Sequence, residues 1–260
     1  MVRCVPPMKA EKGFPAVTDQ PPDDRAVLRQ GQLVEITRER LLDGSLLRSV
    51  RARAPAEMRL MSDAELEASL DSMLAQITPG EDAWLFGYGS LMWNPAIHFS
   101  ERALGRIAGW HRRYCLWIRM GRGTPNHPGL MLALDRGGSC NGVLFRIPAA
   151  EARQELLLAW RREMFGRSYQ ARWVRARTAA GHVVRAITFV VDRTSPRYAG
   201  LLDEDEIAAR LASAGGEIGT CASYLIQTTE SLRALGVRDP AMERLRRKVE
   251  ATKRLGKSSL

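Results

Sequence analysis

Cysteine is scarce and scattered in this chain of 260 residues: Cys4, Cys115, Cys140 and Cys221 form no C-x-x-C pair, which argues against a disulfide framework and against a zinc site. The four histidines, His98, His111, His127 and His182, also stand at no metal-ligand spacing, so no metal is expected. No segment approaches the roughly eighteen apolar residues in a row that a membrane-spanning helix needs. The first residues lack the apolar stretch of a secretory signal, and a cytoplasmic protein that meets no membrane is the expectation.

Negative charge is in short supply as well. Against 39 Lys and Arg stand 29 Asp and Glu, a net charge of +10, which invites an acidic partner, either nucleic acid or an anionic small molecule. The positive residues are almost all arginines and are dispersed, Arg153, Arg161, Arg162 and Arg167 among them. Without a basic run or interleaved aromatics, a nucleic-acid platform is disfavoured. What is present is a 45% hydrophobic content, enough for a sizeable core in one domain plus an extension.

Residues 1–61 read as an extension, partly disordered, with prolines at 6, 7, 15, 21 and 22, a charged stretch around Arg38, Glu39 and Arg40, and one short helix at an unassigned position. A helical segment over 62–80 follows: Ser62 with Glu65 is a capping-box pair, Leu66, Leu70, Met73, Leu74 and Ile77 keep helical spacing, and Pro79-Gly80 ends it. From 81 to 253 short apolar runs suggest strands at Trp84 to Tyr88, Tyr114 to Ile118, Leu130 to Leu134, Gly142 to Ile147 and Val183 to Val191. Helical patterns run from Ala149 to Met164, Asp203 to Ala214, Ala222 to Leu235 and Pro240 to about Lys253, leaving 254–260 as a tail. Strands and helices do not alternate regularly, so the class is α+β, with a mixed sheet or small barrel.

Three stretches carry candidate chemistry. Phe86-Gly87-Tyr88-Gly89-Ser90-Leu91 follows a strand and lets backbone N–H groups approach a ligand closely. Its spacing is that of neither a dinucleotide fingerprint, a P-loop nor a nucleophile elbow, and an ordinary tight turn remains an alternative. Glu163 falls within about 60° of Ala152, Leu156, Ala159 and Trp160 on a helical wheel, in the middle of an apolar stripe. A carboxylate there has its neutral form favoured, which suits a general base near neutral pH; a structural ion pair with Arg167 or Arg122 is the competing reading. Arg122-Gly123-Thr124-Pro125 sets a guanidinium before a strand, where it could meet a substrate carboxylate. Tyr169 and Tyr198 could add phenolic hydroxyls to the same pocket, or simply bond to backbone.

Taken together, these residues resemble the ChaC family of glutathione-specific γ-glutamylcyclotransferases, over about Trp84 to Val249. The glycine loop followed by Trp93-Asn94-Pro95, then Gly109-Trp110-His111-Arg112-Arg113, Arg122-Gly123-Thr124-Pro125, Pro128-Gly129, Cys140-Asn141-Gly142 and Arg162-Glu163 come in that family's order. The resemblance implies a γ-glutamylcyclotransferase-like small mixed β-barrel with flanking helices, no cofactor, and cleavage of glutathione to 5-oxoproline and Cys-Gly. It makes Glu163 the proton acceptor and gives the γ-glutamyl group to Leu85, Phe86, Gly87, Tyr88, Gly89, Ser90 and Leu91. One departure stands out: where the family often has Asn-x-Glu-Tyr-Leu, this chain has Cys221-Ala222-Ser223-Tyr224-Leu225. Another γ-glutamyl amide as substrate, or a non-catalytic module for an acidic partner, remains open as an alternative.

Overall fold

The computed structural model describes residues 36–55 and 58–258, all within one compact unit. The expectation of partial disorder over the first 35 positions, and that of a tail at 259–260, lie outside the described residues. Five long strands close into a barrel: β1 (Ala83–Gly87), β2 (Glu101–Ile118), β3 (Gly129–Ile147), β4 (Tyr169–Thr178) and β5 (Val183–Val191). Their order is β1-β3-β2-β4-β5. Closure comes from β5, which lies parallel to β1 with Leu85 opposite Ile187 and touches β3 where Leu134 meets Val190. The expected α+β class and small mixed barrel are therefore present.

Two strands are longer than the apolar runs suggest, for one reason. Asp135-Arg136-Gly137-Gly138-Ser139 reads as a turn, yet the β2–β3 ladder passes through it, pairing His111 with Asp135 and Ala108 with Ser139. Gly137 (φ 105°), Gly138 (φ 63°) and Gly109 (φ 82°) absorb the register shift there with backbone angles that side chains resist. The segments Leu130 to Leu134 and Gly142 to Ile147 are thus one strand, and β2 starts at Glu101, well before Tyr114. β4 has no counterpart in the sequence reading. Arg172, Arg175 and Arg177 interrupt it, and only Val174 and Ala176 are fully buried, so its apolar signal is thin.

Helices cover the barrel. The capping box forms as expected at the start of α3 (Asp63–Leu74), with Ser62 N–H donating to Glu65 Oε2 at 2.8 Å and Glu65 N–H to Ser62 Oγ at 3.2 Å. Ahead of it lie two helices where one was expected, α1 (Arg38–Leu42) and α2 (Ser45–Arg53), joined through Gly44 at φ 70°. They bury Leu41, Leu46 and Leu47 in the common core. α4 (Ala152–Glu163) packs Trp160 edge-on against Phe189 of β5, centroids 5.1 Å apart. α5 (Glu204–Ser213), α6 (Cys221–Ala234) and α7 (Pro240–Ser258) follow, the last running past the expected end at Lys253. No described helix is long and apolar enough to cross a membrane.

Candidate active site

β1 delivers the glycine loop to one rim of the barrel. Leu85 and Phe86 are fully buried strand residues, and the Phe86 carbonyl accepts Thr188 Oγ1 at 2.9 Å. Gly87 still pairs with Val143; beyond it, Gly89 opens a single 3-10 turn over Ser90–Met92. Glycine at 89 lets Tyr224 come close: a Cβ there would stand 2.8 Å from the Tyr224 hydroxyl. Arg112 fixes the loop from below, its Nε donating to the Tyr88 carbonyl at 2.7 Å while its other nitrogens reach the Asn141 carbonyl and Asp239.

Glu163 ends α4. The apolar stripe inferred from the sequence is real, since Ala152, Leu156, Ala159 and Trp160 are all buried, and it carries Glu163 to the same rim with 17% of its side chain exposed. Burial pushes its carboxyl above the ordinary 4.5, and the adjacent guanidinium of Arg162 moderates the rise. Neither Arg167 nor Arg122 is its partner. Arg162 Nε lies 3.1 Å from Glu163 Oε1, whereas Arg167 pairs with Glu65. The same Arg162 donates through Nη2 to Ser90 Oγ at 2.6 Å and through Nη1 to the Asn94 carbonyl.

Three tyrosines stand around this carboxylate. Burial, reinforced by the negative charge of Glu163, raises the phenol pKa of Tyr88 and Tyr169 well above 10 and that of Tyr224 above 10, so all three are neutral hydrogen-bonding groups. Tyr169 donates to the Leu132 carbonyl at 2.9 Å, and the Tyr224 hydroxyl accepts the Ser90 amide at 3.3 Å. Tyr224 also meets Trp93 edge-on at 5.6 Å.

Arg122 joins through Tyr224, its Cζ over that ring at 5.2 Å from the centroid. Its Nη1 donates to the Thr220 carbonyl at 2.8 Å and to Ser223 Oγ at 3.0 Å. The departure at Cys221 and Ser223 is therefore local to Arg122, because Cys221 Sγ in turn donates to the Arg122 carbonyl at 3.1 Å. Tyr198 is not drawn into the group. Its hydroxyl donates to Asp135 at 3.0 Å, in a cluster with Arg193 and Arg113.

Sequence reasoning assigned no role to Arg162, Arg112 or Tyr224, although all three lie in the stretches it quoted. Adjacency to Glu163 was the available signal for Arg162; for Tyr224, contributed by α6, the contact depends on how that helix packs. His98, Glu151 and Glu155 also approach one another, but Glu155 gives its oxygens to Arg38 Nη2 (2.6 Å) and to the His98 amide (2.7 Å) and serves as a structural anchor.

A family model described as ChaC-like protein matches residues 83–252. A glutathione-specific gamma-glutamylcyclotransferase of Escherichia coli (strain K12) is 41% identical over 189 residues, 73% of this chain and 82% of that protein. The protein of the same description from Schizosaccharomyces pombe is 30% identical, over 61% of this chain and 87% of its own length. Among solved structures, a yeast gamma-glutamyl cyclotransferase specific to glutathione superposes with a TM-score of 0.60 at 20% identity, covering 66% of this chain and 97% of that one, which demonstrates the shared fold.

Proposed function

The chain belongs to the ChaC-like family, and from that premise we propose that it is a γ-glutamylcyclotransferase cleaving glutathione to 5-oxoproline and Cys-Gly, with Glu163 as proton carrier. One observation carries the assignment: a carboxylate with a raised pKa, set among neutral tyrosines, is tied through Arg162 to the serine of a glycine loop.

The chemistry is an intramolecular ring closure. The α-amino nitrogen of the γ-glutamyl group attacks its own γ-carbonyl carbon, forming the lactam C–N bond as the γ-amide C–N bond breaks. Proximity already favours a five-membered ring. What the protein must supply is proton movement and a fixed fold-back of the chain. The ammonium gives up two protons in becoming the lactam N–H, and the departing nitrogen takes up two in becoming the ammonium of Cys-Gly. Glu163 relays them, its raised pKa bringing it closer to the amines it serves. Backbone amides of Gly87 to Ser90 hold the γ-glutamyl group, Leu85, Phe86 and Leu91 fix the loop that presents them, and Tyr88, Tyr169 and Tyr224 line the reaction space. Arg122 faces the outer part of the substrate, while Tyr198, bonded to Asp135 apart from this group, has no part in the reaction.

A cytoplasmic setting accompanies this reading, since the substrate is a reduced thiol and Cys115, Cys140 and Cys221 are buried free thiols. The test is release of 5-oxoproline from glutathione by the purified chain beside its Glu163→Gln variant. Release that depends on Glu163 supports the assignment; a folded Gln variant with wild-type turnover overturns it.

A further inference from the structure

Four arginines approach Glu163 or the tyrosines around it, and three have evident work. Arg162 faces Glu163, Arg112 is paired with Asp239, and Arg197, on the Tyr169 side, gives its Nε to the Trp117 carbonyl at 2.9 Å. Arg122 is different. Both of its side-chain hydrogen bonds leave from Nη1, to a carbonyl and a hydroxyl, and among the described residues it has no carboxylate partner and its Nε and Nη2 make no hydrogen bond. Its half-buried surroundings disfavour the charge they hold, a cost that an incoming anion would offset. The free edge of such a guanidinium matches a carboxylate.

Its position selects which carboxylate. Tyr224 touches both Arg122 and the glycine loop: the guanidinium carbon stands over its ring, 5.2 Å from the centroid, and its hydroxyl lies 3.3 Å from the Ser90 amide. A γ-glutamyl group held at Ser90 and Glu163 would have its departing half alongside this ring. An extended dipeptide spans about 7 Å, long enough to run along the ring from its hydroxyl end toward the guanidinium over its face. The turn bearing Arg122 is also fixed in place, by Cys221 Sγ on its carbonyl and by Gly123, where a Cβ would collide with the backbone of Ile118 and Gly129.

We propose that Arg122 is a specificity-determining residue that binds the terminal carboxylate of the departing Cys-Gly half of the substrate. The inference rests on the cyclotransferase reading and adds to it a reason to prefer a free C-terminal carboxylate over an amide or an amine.

Two substrates test it: glutathione, and glutathione whose glycine carboxylate is capped as the amide, each assayed for 5-oxoproline. The wild type should favour glutathione in kcat/KM by about 10- to 10²-fold, the range of one charge-assisted contact. Arg122→Met should collapse that ratio toward one, and Arg122→Lys should retain part of it. Ser223→Glu, which puts a competing carboxylate beside the guanidinium, should lower the ratio too and serves if the Met variant does not fold. A wild type that treats both substrates alike, or an Arg122→Met variant that loses both activities while keeping the ratio, overturns the proposal. No 5-oxoproline from either substrate with the wild type overturns the cyclotransferase reading itself, and this inference with it.

Discussion

Arg162 donates to Ser90 across 2.6 Å while its Nε lies 3.1 Å from Glu163, so one guanidinium spans the helix end that carries the carboxylate and the loop that faces it. Arg162→Met should therefore do two things. Removing the cation should move the acid limb of the kcat/KM profile to higher pH, because Glu163 loses the charge that moderates its rise. Releasing Ser90 should lower the rate by about 10- to 10²-fold, as misplacement of a reacting group does. Arg162→Lys should restore the limb more than the rate. A pH profile of all three proteins checks this, and an unmoved limb in the Met variant refutes the electrostatic role.

Glu163→Gln should lower turnover by about 10²- to 10⁴-fold and stabilise the fold at neutral pH. The sign follows from linkage: folded Glu163 keeps its proton to a higher pH than the ordinary 4.5 of the unfolded chain, so wild-type stability falls as pH rises through that interval. Thermal midpoints of the two proteins should be close near pH 4 and diverge toward neutrality, with the Gln variant higher. A gap that closes with rising pH would contradict the burial of this carboxylate.

Arg38→Ala should destabilise without touching the reacting atoms. Burial alone would raise the pKa of Glu155, which is 2% exposed, but hydrogen bonds from Arg38 and the His98 amide reverse this and hold it below 4.5. That stabilisation is present above 4.5 and is lost as pH falls through the folded value. Breaking the pair should cost about 3 kcal/mol near neutral pH, the low end for buried pairs because Arg38 reaches solvent, and less in acid. Denaturant titrations at two pH values measure it.

Two glycine substitutions should separate function from folding. At Gly89 an added Cβ meets the end of the Tyr224 side chain at 2.8 Å; at Gly142 it meets the Gly87 carbonyl oxygen, part of the backbone. Gly89→Ala should displace Tyr224, lowering activity by about tenfold or more at a modest cost of about 1 kcal/mol. Gly142→Ala should cost about 3 kcal/mol by forcing β1 from β3. Activity beside chemical denaturation distinguishes them, and equal stability losses would negate the contrast.

Helices were legible in the sequence because their signals are local: the Ser62–Glu65 box, the Leu156–Trp160 stripe and the prolines and glycines near their ends. Glu163 could be seen pointing inward for the same reason. The arms of β2 and β3 were hidden because a bulge built from Gly109, Gly137 and Gly138 looks locally like a turn, and β4 because its arginines interrupt the apolar run. The contact of Tyr224 with Ser90 and that of Tyr198 with Asp135 join residues distant in the chain. No spacing rule reaches that far; only packing decides which tyrosine arrives at the carboxylate.

The matched family segment begins at residue 83, yet α1 and α2 lie upstream of it and complete the core with Leu41, Leu46 and Leu47, while Arg38 covers Glu155 on the helix that ends in Glu163. Arg161, two residues before Glu163, is likewise held by the Leu41 and Leu42 carbonyls. A chain trimmed to the matched segment would retain each proposed reacting group and expose an oily footprint beside an uncompensated charge. The boundary drawn by shared ancestry thus runs through the core of this molecule, and the helix that ends in Glu163 leans on residues outside it.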